Sequence, residues 1–111
     1  MQQWDLRSLA VDPHRPVVLD SHPEGRSVAI TLPAGDRLQE HRVHERAWLV
    51  VIDGEIEIEI ETQSGTHRGG AGLVAIFDPK EDHEIRAVAE ARLLLVLAPW
   101  PGDGRDPDIN A

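Results

Sequence analysis

Residues 55–61 read Glu55-Ile56-Glu57-Ile58-Glu59-Ile60-Glu61, an alternation with a period of two. Successive side chains on a strand point to opposite faces, so Ile56, Ile58 and Ile60 share one face and the four glutamates the other. A helix would scatter the isoleucines around its axis and leave no apolar side to pack. The segment reads as a strand with a core face and a solvated face. Its glutamates also discourage pairing with a foreign edge. Such an acidic row could be taken for a calcium site, but a solvated outer face accounts for it without a ligand.

The neighbouring sequence follows the same plan. Short apolar segments near 17–20, 27–32, 37–43, 47–53, 73–77, 83–88 and 91–98 accompany the one at 55–61. Between them stand Pro33-Ala34-Gly35, Asp53-Gly54, Ser64-Gly65, Gly69-Gly70 and Asp78-Pro79, all good turn formers. No helical period runs long enough to pack, so the spacing predicts an all-β sandwich or barrel. Residues 1–16, with Pro13 and Pro16, read as an N-terminal arm, 17–99 as the β domain, and 100–111 as a flexible acidic tail rich in Pro, Gly and Asp. There is no internal repeat.

At 111 residues the chain has the size of one domain. Its 41% apolar and 28% charged residues suit one core and are too apolar for a disordered chain. Twenty acids against eleven bases leave a net charge of −9, the wrong sign for a nucleic acid or an anionic membrane as partner. The absence of cysteine excludes disulfides, thiolate zinc sites and cysteine nucleophiles. Tyrosine is absent too, and Trp4, Trp48, Trp100 and Phe77 are the only aromatics, so the core falls to Val, Ile, Leu and Ala. The first residues lack a basic region followed by an apolar run. The longest apolar run, Leu93 to Ala98, is far short of the roughly 20 residues that span a bilayer, so a soluble cytoplasmic protein is expected.

Six histidines, His14, His22, His41, His44, His67 and His83, carry the candidate chemistry, since imidazole is the commonest metal ligand and the usual general base near neutral pH. Five residues separate Gly35 from His41, and Gly54 follows thirteen positions later. Ten residues separate Gly72 from His83, with Pro79 between them, and an apolar strand closes the pattern at 91–99. Across about residues 27–99 this resembles the two signatures of the cupin superfamily, and in particular its small single-domain members.

The resemblance implies a small antiparallel β-barrel of jelly-roll type, a double-stranded β-helix of two facing sheets. In that family a first motif gives two histidines one residue apart and then a glutamate, and a second motif gives a third histidine. Together they hold one divalent metal inside the barrel. His41 matches the first histidine and His83 the last, whereas Val43 stands at the second histidine position and Ala47 at the glutamate position. Asp78 stands where proline is usual, with Pro79 one place later, and Lys80 replaces a glycine.

Strand geometry puts Gln39, His41 and Val43 on one face and His44 on the other, unless the chain bends at His44-Glu45-Arg46. With a bend, His44 or Glu45 reaches the barrel mouth. His41 and His83 joined by Gln39, His44 or Glu45 would then supply the three protein ligands of a catalytic metal such as Fe, Mn, Ni or Zn. Without metal, His41 and His83 would serve as a general acid and base, or orient a bound anion, with burial suppressing their charging. Oxygenation, isomerisation, epimerisation and decarboxylation are among the reactions the resemblance implies. Two functional classes therefore stand side by side, a metal-dependent enzyme and a metal-free module that binds or senses a small molecule. A structural protein with a vestigial pocket is a third.

The remaining features are weaker. His14, His22 and His67 read as surface residues. Trp48 follows Ala47 and is expected to point outward, covered by the N-terminal arm or by a second subunit, with a homodimer preferred. Arg42 and Arg46 nearby read as partners of the acidic surface. No nucleophile elbow, phosphate-binding loop or dinucleotide fingerprint is present, and Gly69-Gly70-Ala71-Gly72 reads as a hairpin connection.

Overall fold

The computed structural model describes residues 1–40, 45–60, 64–79 and 81–99. They form seven strands and no helix: β1 (Val17–His22), β2 (Gly25–Leu32), β3 (Arg37–Glu40), β4 (Arg46–Ile60), β5 (Thr66–Gly70), β6 (Val74–Phe77) and β7 (His83–Ala98). Every pairing is antiparallel.

Two strands are twice as long as the apolar segments suggest. The segments at 47–53 and 55–61 fuse into the 15-residue β4, and those at 83–88 and 91–98 into the 16-residue β7. Asp53-Gly54 does not reverse the chain. Gly54 has φ 89°, in the left-handed region, and the register of β4 against β7 shifts around it, between Val51 and Ile56. This is a bulge, which bends a strand without ending it. A Cβ on Gly54 would lie 2.2 Å from the carbonyl oxygen of Glu90, so β7 crosses tightly at the same level.

The bends divide the molecule into two layers that share β4 and β7. The first half of β4 pairs with β6 and with the last half of β7, which continues to β2 and β1. The second half of β4 pairs with β5 and with the first half of β7, which also carries β3. One path through these pairings runs β1-β2-β7-β4-β5, with β3 on β7 and β6 on β4. Among the described residues no pairing joins β1 to β5, so the hydrogen-bonded ladder is open. β5 falls where the sequence suggested turns, because Thr66-His67-Arg68-Gly69-Gly70 shows no apolar alternation. It is a strand because Glu55–Glu59 offers it an edge.

Both layers feed one core. Leu49, Val51, Ile56 and Ile58 of β4 pack with Ile85, Leu93 and Leu95 of β7, each at most 4% exposed. Burying such a side chain contributes about 1.5–3 kcal/mol. The glutamates face outward as the alternation requires, but they are not bare. Glu57 accepts from Arg86 at 2.5 Å and pairs with Arg68 at 3.0 Å, and Arg37 pairs with Glu84 at 2.9 Å. The Arg86 hydrogen bond holds the Glu57 carboxyl below its ordinary pKa despite some desolvation, with the charges of Arg86 and Arg68 adding to it.

Residues 1–16 contain no strand, and Arg92 holds them against β7. Its guanidinium donates to the carbonyls of Leu6 at 3.0 Å and Leu9 at 2.5 Å. Arg92 is the register partner of Thr31 on β2, where Ala29 and Thr31 are buried on the face opposite the core, and Val11 is buried as well. No helix among the described residues is long and apolar enough to cross a membrane.

Two outcomes follow. Gly54→Ala should cost about 3 kcal/mol or more, from overpacking against Glu90 and a left-handed φ on a residue with a Cβ, as read by denaturant unfolding. Since the Glu57 pKa is depressed in the folded state, its contribution is present above the unfolded value and lost as the pH falls through the folded one. Arg86→Ala should therefore narrow the stability difference between neutral and acid buffer, measured by thermal melts in each.

Candidate functional site

At one end of the molecule the start of β4, the end of β6 and the start of β7 come together. Ala47 pairs with Phe77 on one side and Leu97 on the other, and Ile60 pairs with His83. Along this stretch Glu45, Ala47 and Leu49 are buried while Arg46 is exposed and Trp48 half-buried. Residue 45 is a bend leading into β4, and Glu45 lies in phase with the core-facing residues at only 8% exposure. Trp48 alternates with them and faces outward.

His83 opens β7 on the core side, in phase with Ile85 and Ala87, and is 5% exposed. Its imidazole lies flat on the ring of Phe77, with centroids 3.7 Å apart and planes 3° from parallel. Ala47, opposite Phe77 on β4, presents only a methyl group, which leaves the ring room to lie there. The small residue at the family's glutamate position and the stacked ring thus belong to one packing arrangement.

The hydrogen bonding of His83 sets its tautomer. Nδ1 lies 3.2 Å from the carbonyl oxygen of Glu81, which can only accept, so Nδ1 carries the hydrogen and Nε2 the lone pair. Nε2 is buried and has no hydrogen-bond partner among the described residues. Desolvation lowers the pKa of His83, against the Glu81 carbonyl bond and the charges of Glu81 and Asp82, which raise it. The result is a neutral imidazole with its acceptor nitrogen aimed into the protein. Leaving such an atom unsatisfied costs about 1–3 kcal/mol, so the position suits a ligand atom, a proton donor or a cation. A metal-binding histidine commonly donates its other N–H to a backbone carbonyl in this way.

The other candidates divide. Gln39 lies on β3 opposite Glu84, beside the Glu40–His83 pairing. His41 and His44 lie outside the described residues, as do Val43 and Lys80. Among the described residues no group of three His, Asp or Glu side chains converges as a metal site. His14, His22 and His67 are exposed, His14 within 3.3 Å of Asp36 and His22 within 3.0 Å of Asp20. Sequence reasoning passed over Phe77. It is the chain's one phenylalanine, in a core otherwise built of aliphatic residues, and that was the available signal.

The model of the cupin domain family matches residues 28–98, spanning both glycine–histidine patterns and every strand from β3 to β7. The chain belongs to the cupin family. No curated protein sequence matches it. Among solved structures, it resembles an uncharacterised conserved protein with a double-stranded β-helix domain from Klebsiella pneumoniae, with a TM-score of 0.76, 20% identity, and coverage of 95% of this chain and 94% of that one. It also resembles RmlC-like cupin proteins from Methanocaldococcus jannaschii (TM-score 0.73, 22% identity, 94% of each chain) and Desulfovibrio desulfuricans (TM-score 0.74, 23% identity, 89% and 97%). At these identities the likeness establishes the cupin fold alone.

Removing the ring beside His83 tests the packing of this cupin's site. Phe77→Ala should cost about 3–5 kcal/mol in denaturant unfolding, the usual range for a buried phenylalanine. It should also expose His83 to diethyl pyrocarbonate, so that modification of that residue, followed by mass spectrometry, speeds up relative to the wild type.

Proposed function

We propose that this cupin acts on a small molecule at the His83 end of its two layers, which we read as the family's barrel closed by side-chain packing. In this reading one divalent metal ion of the Fe, Mn, Ni or Zn class is held there by His83, His41 and Glu45. The observation that carries it is the buried Nε2 of His83, which has no partner among the described residues and whose tautomer is set by the Glu81 carbonyl. Glu45 supports it as a buried carboxylate two residues before Ala47 on the same face, able to replace the missing family glutamate. Gln39 and His44 remain the alternative third donors. An ion bound there would polarise a substrate oxygen, while Phe77 and the neighbouring apolar side chains exclude water from the His83 face. Oxygenation and isomerisation are the first reactions to screen.

A metal-free binding or sensing pocket is the second reading, favoured by the Phe77 stack and the methyl group at Ala47. His83 Nε2 would then accept a hydrogen bond from a ligand's N–H or O–H. Elemental analysis of untagged protein, grown with all four metals supplied, separates the two. The metal reading expects close to one ion per chain, lost in His83→Ala and diminished in Glu45→Ala. Metal-free protein would overturn the metal reading and direct the search to molecules that raise the melting temperature.

We further propose that two copies pair through the outward face of the first layer. Trp48 is flanked there by its register partners Ile76 and Val96, and Val74 and Ile76 are each 55% exposed. Contiguous apolar surface of this kind commonly marks an interface. Trp48→Ala and Ile76→Glu should both shift the protein toward monomer in light scattering. A wild type that is already monomeric at high concentration would overturn the pairing.

A further inference from the structure

The two layers part company beyond β4. β5 continues one layer and β6 the other, and no hydrogen bond among the described residues joins these two edges. They meet only at the turn through Gly72, where Gly72 N–H donates to the Val51 carbonyl, and Leu73 N–H to that of Gly70. From this hinge the edges diverge, and between them lies a cavity of about 290 Å³. Ile58 and Ile60 line it from one layer, Ala75 and Phe77 from the other, and Leu73 from the hinge.

We propose that this slot is a binding site for a small aromatic molecule carrying one oxygen acceptor, such as a carboxylate or carbonyl group. It lies on β5 and β6, and it stands whether or not a metal occupies the His83 end. The slot exists because of two small residues. A Cβ on Gly69 would come 2.7 Å from Cδ2 of Leu73, so glycine there lets Leu73 lie at the hinge instead of being pushed across the opening. Ala75, register partner of Leu49, presents a methyl group where a larger aliphatic side chain would fill the space.

Size and chemistry restrict the occupant. The volume is about twice that of an apolar cavity known to hold benzene, which suits one substituted ring. The five walls named above are apolar, and the ring of Phe77 among them favours an aromatic neighbour packed edge-on or offset. The polar group free to orient a ligand is His67. Its register partner Ile58 places it on the slot side of β5, it is exposed, and it makes no ion pair or hydrogen bond among the described residues. Arg68, also at the rim, is engaged by Glu55 at 3.5 Å and Glu57 at 3.0 Å. A ligand therefore enters ring first and keeps its oxygen at the mouth, where an imidazole N–H donates to it. Water stays in reach there, which keeps an anionic head tolerable on a chain of net charge −9. Pockets with apolar walls and a few placed polar groups are the usual design of small-molecule sites.

Titration of the isotope-labelled full chain with benzoate, and separately with toluene, followed by amide NMR, tests this. Saturable shifts should concentrate at Ile58, Ile60, Leu73 and Ala75, at about millimolar affinity for so small a probe. His67→Ala, at an exposed position that leaves the core untouched, should weaken benzoate about three- to ten-fold, the worth of one ordinary hydrogen bond at a water-exposed mouth, and leave toluene unchanged. Ala75→Leu should abolish both. Any one of three results would overturn the proposal: no saturable shift in the wild type, benzoate binding indifferent to His67→Ala, or binding that survives Ala75→Leu in a folded variant.

Discussion

The close approach of Gly54 to the Glu90 carbonyl governs the architecture. Where β4 and β7 cross at this level there is no space for a side chain, and the left-handed φ of Gly54 lets β4 bulge and turn while its pairing with β7 continues on either side. Because the two longest strands bend together, each passes from one layer to the other without a break in the chain. The layers can then bury Leu49 and Val51 from one half of β4, and Ile56 and Ile58 from the other, in a single core. A small domain with few aromatics depends on such sharing, because neither layer alone has enough apolar surface to fold.

The same bends place the His83 cluster and the slot between β5 and β6. At one end, the starts of β4 and β7 bring Glu45, Ala47 and His83 toward the end of β6, where Phe77 covers the imidazole. On the flank, β5 and β6 separate because each follows a different half of β4, which leaves the slot lined by Ile58, Ile60, Ala75 and Phe77. Phe77 is common to both. One side of its surroundings is a neutral imidazole whose acceptor has no partner among the described residues, and the other is an apolar cavity of about 290 Å³.

Much of the fold was legible because period-two alternation has one structural meaning. Ile56, Ile58 and Ile60 had to share a face, and the glycine–histidine spacings were enough to indicate a cupin. The illegible parts are those where local sequence is neutral. Asp53-Gly54 has the composition of a reversing turn, and only its pairing with β7 on both sides makes it a bulge. Thr66–Gly70 carries no strand signal and is a strand because an edge was there to receive it. At the site, His83 stood out from its offset to Gly72. Phe77 did not, since nothing in its own neighbours tells that β6 will set it against His83.

The sequence by itself determined the all-β class, the identity of the core face, the acidic outer face and the candidacy of His83, because alternation, charge and motif spacing are local properties. Tertiary structure alone decided that two pairs of segments are two bent strands, that the His83 nitrogen is buried without a partner among the described residues, and that a slot opens between β5 and β6. Each of those depends on which strand lies beside which, and residues such as Ala47 and Phe77, thirty positions apart in the chain, acquire their meaning only once hydrogen bonding places them side by side.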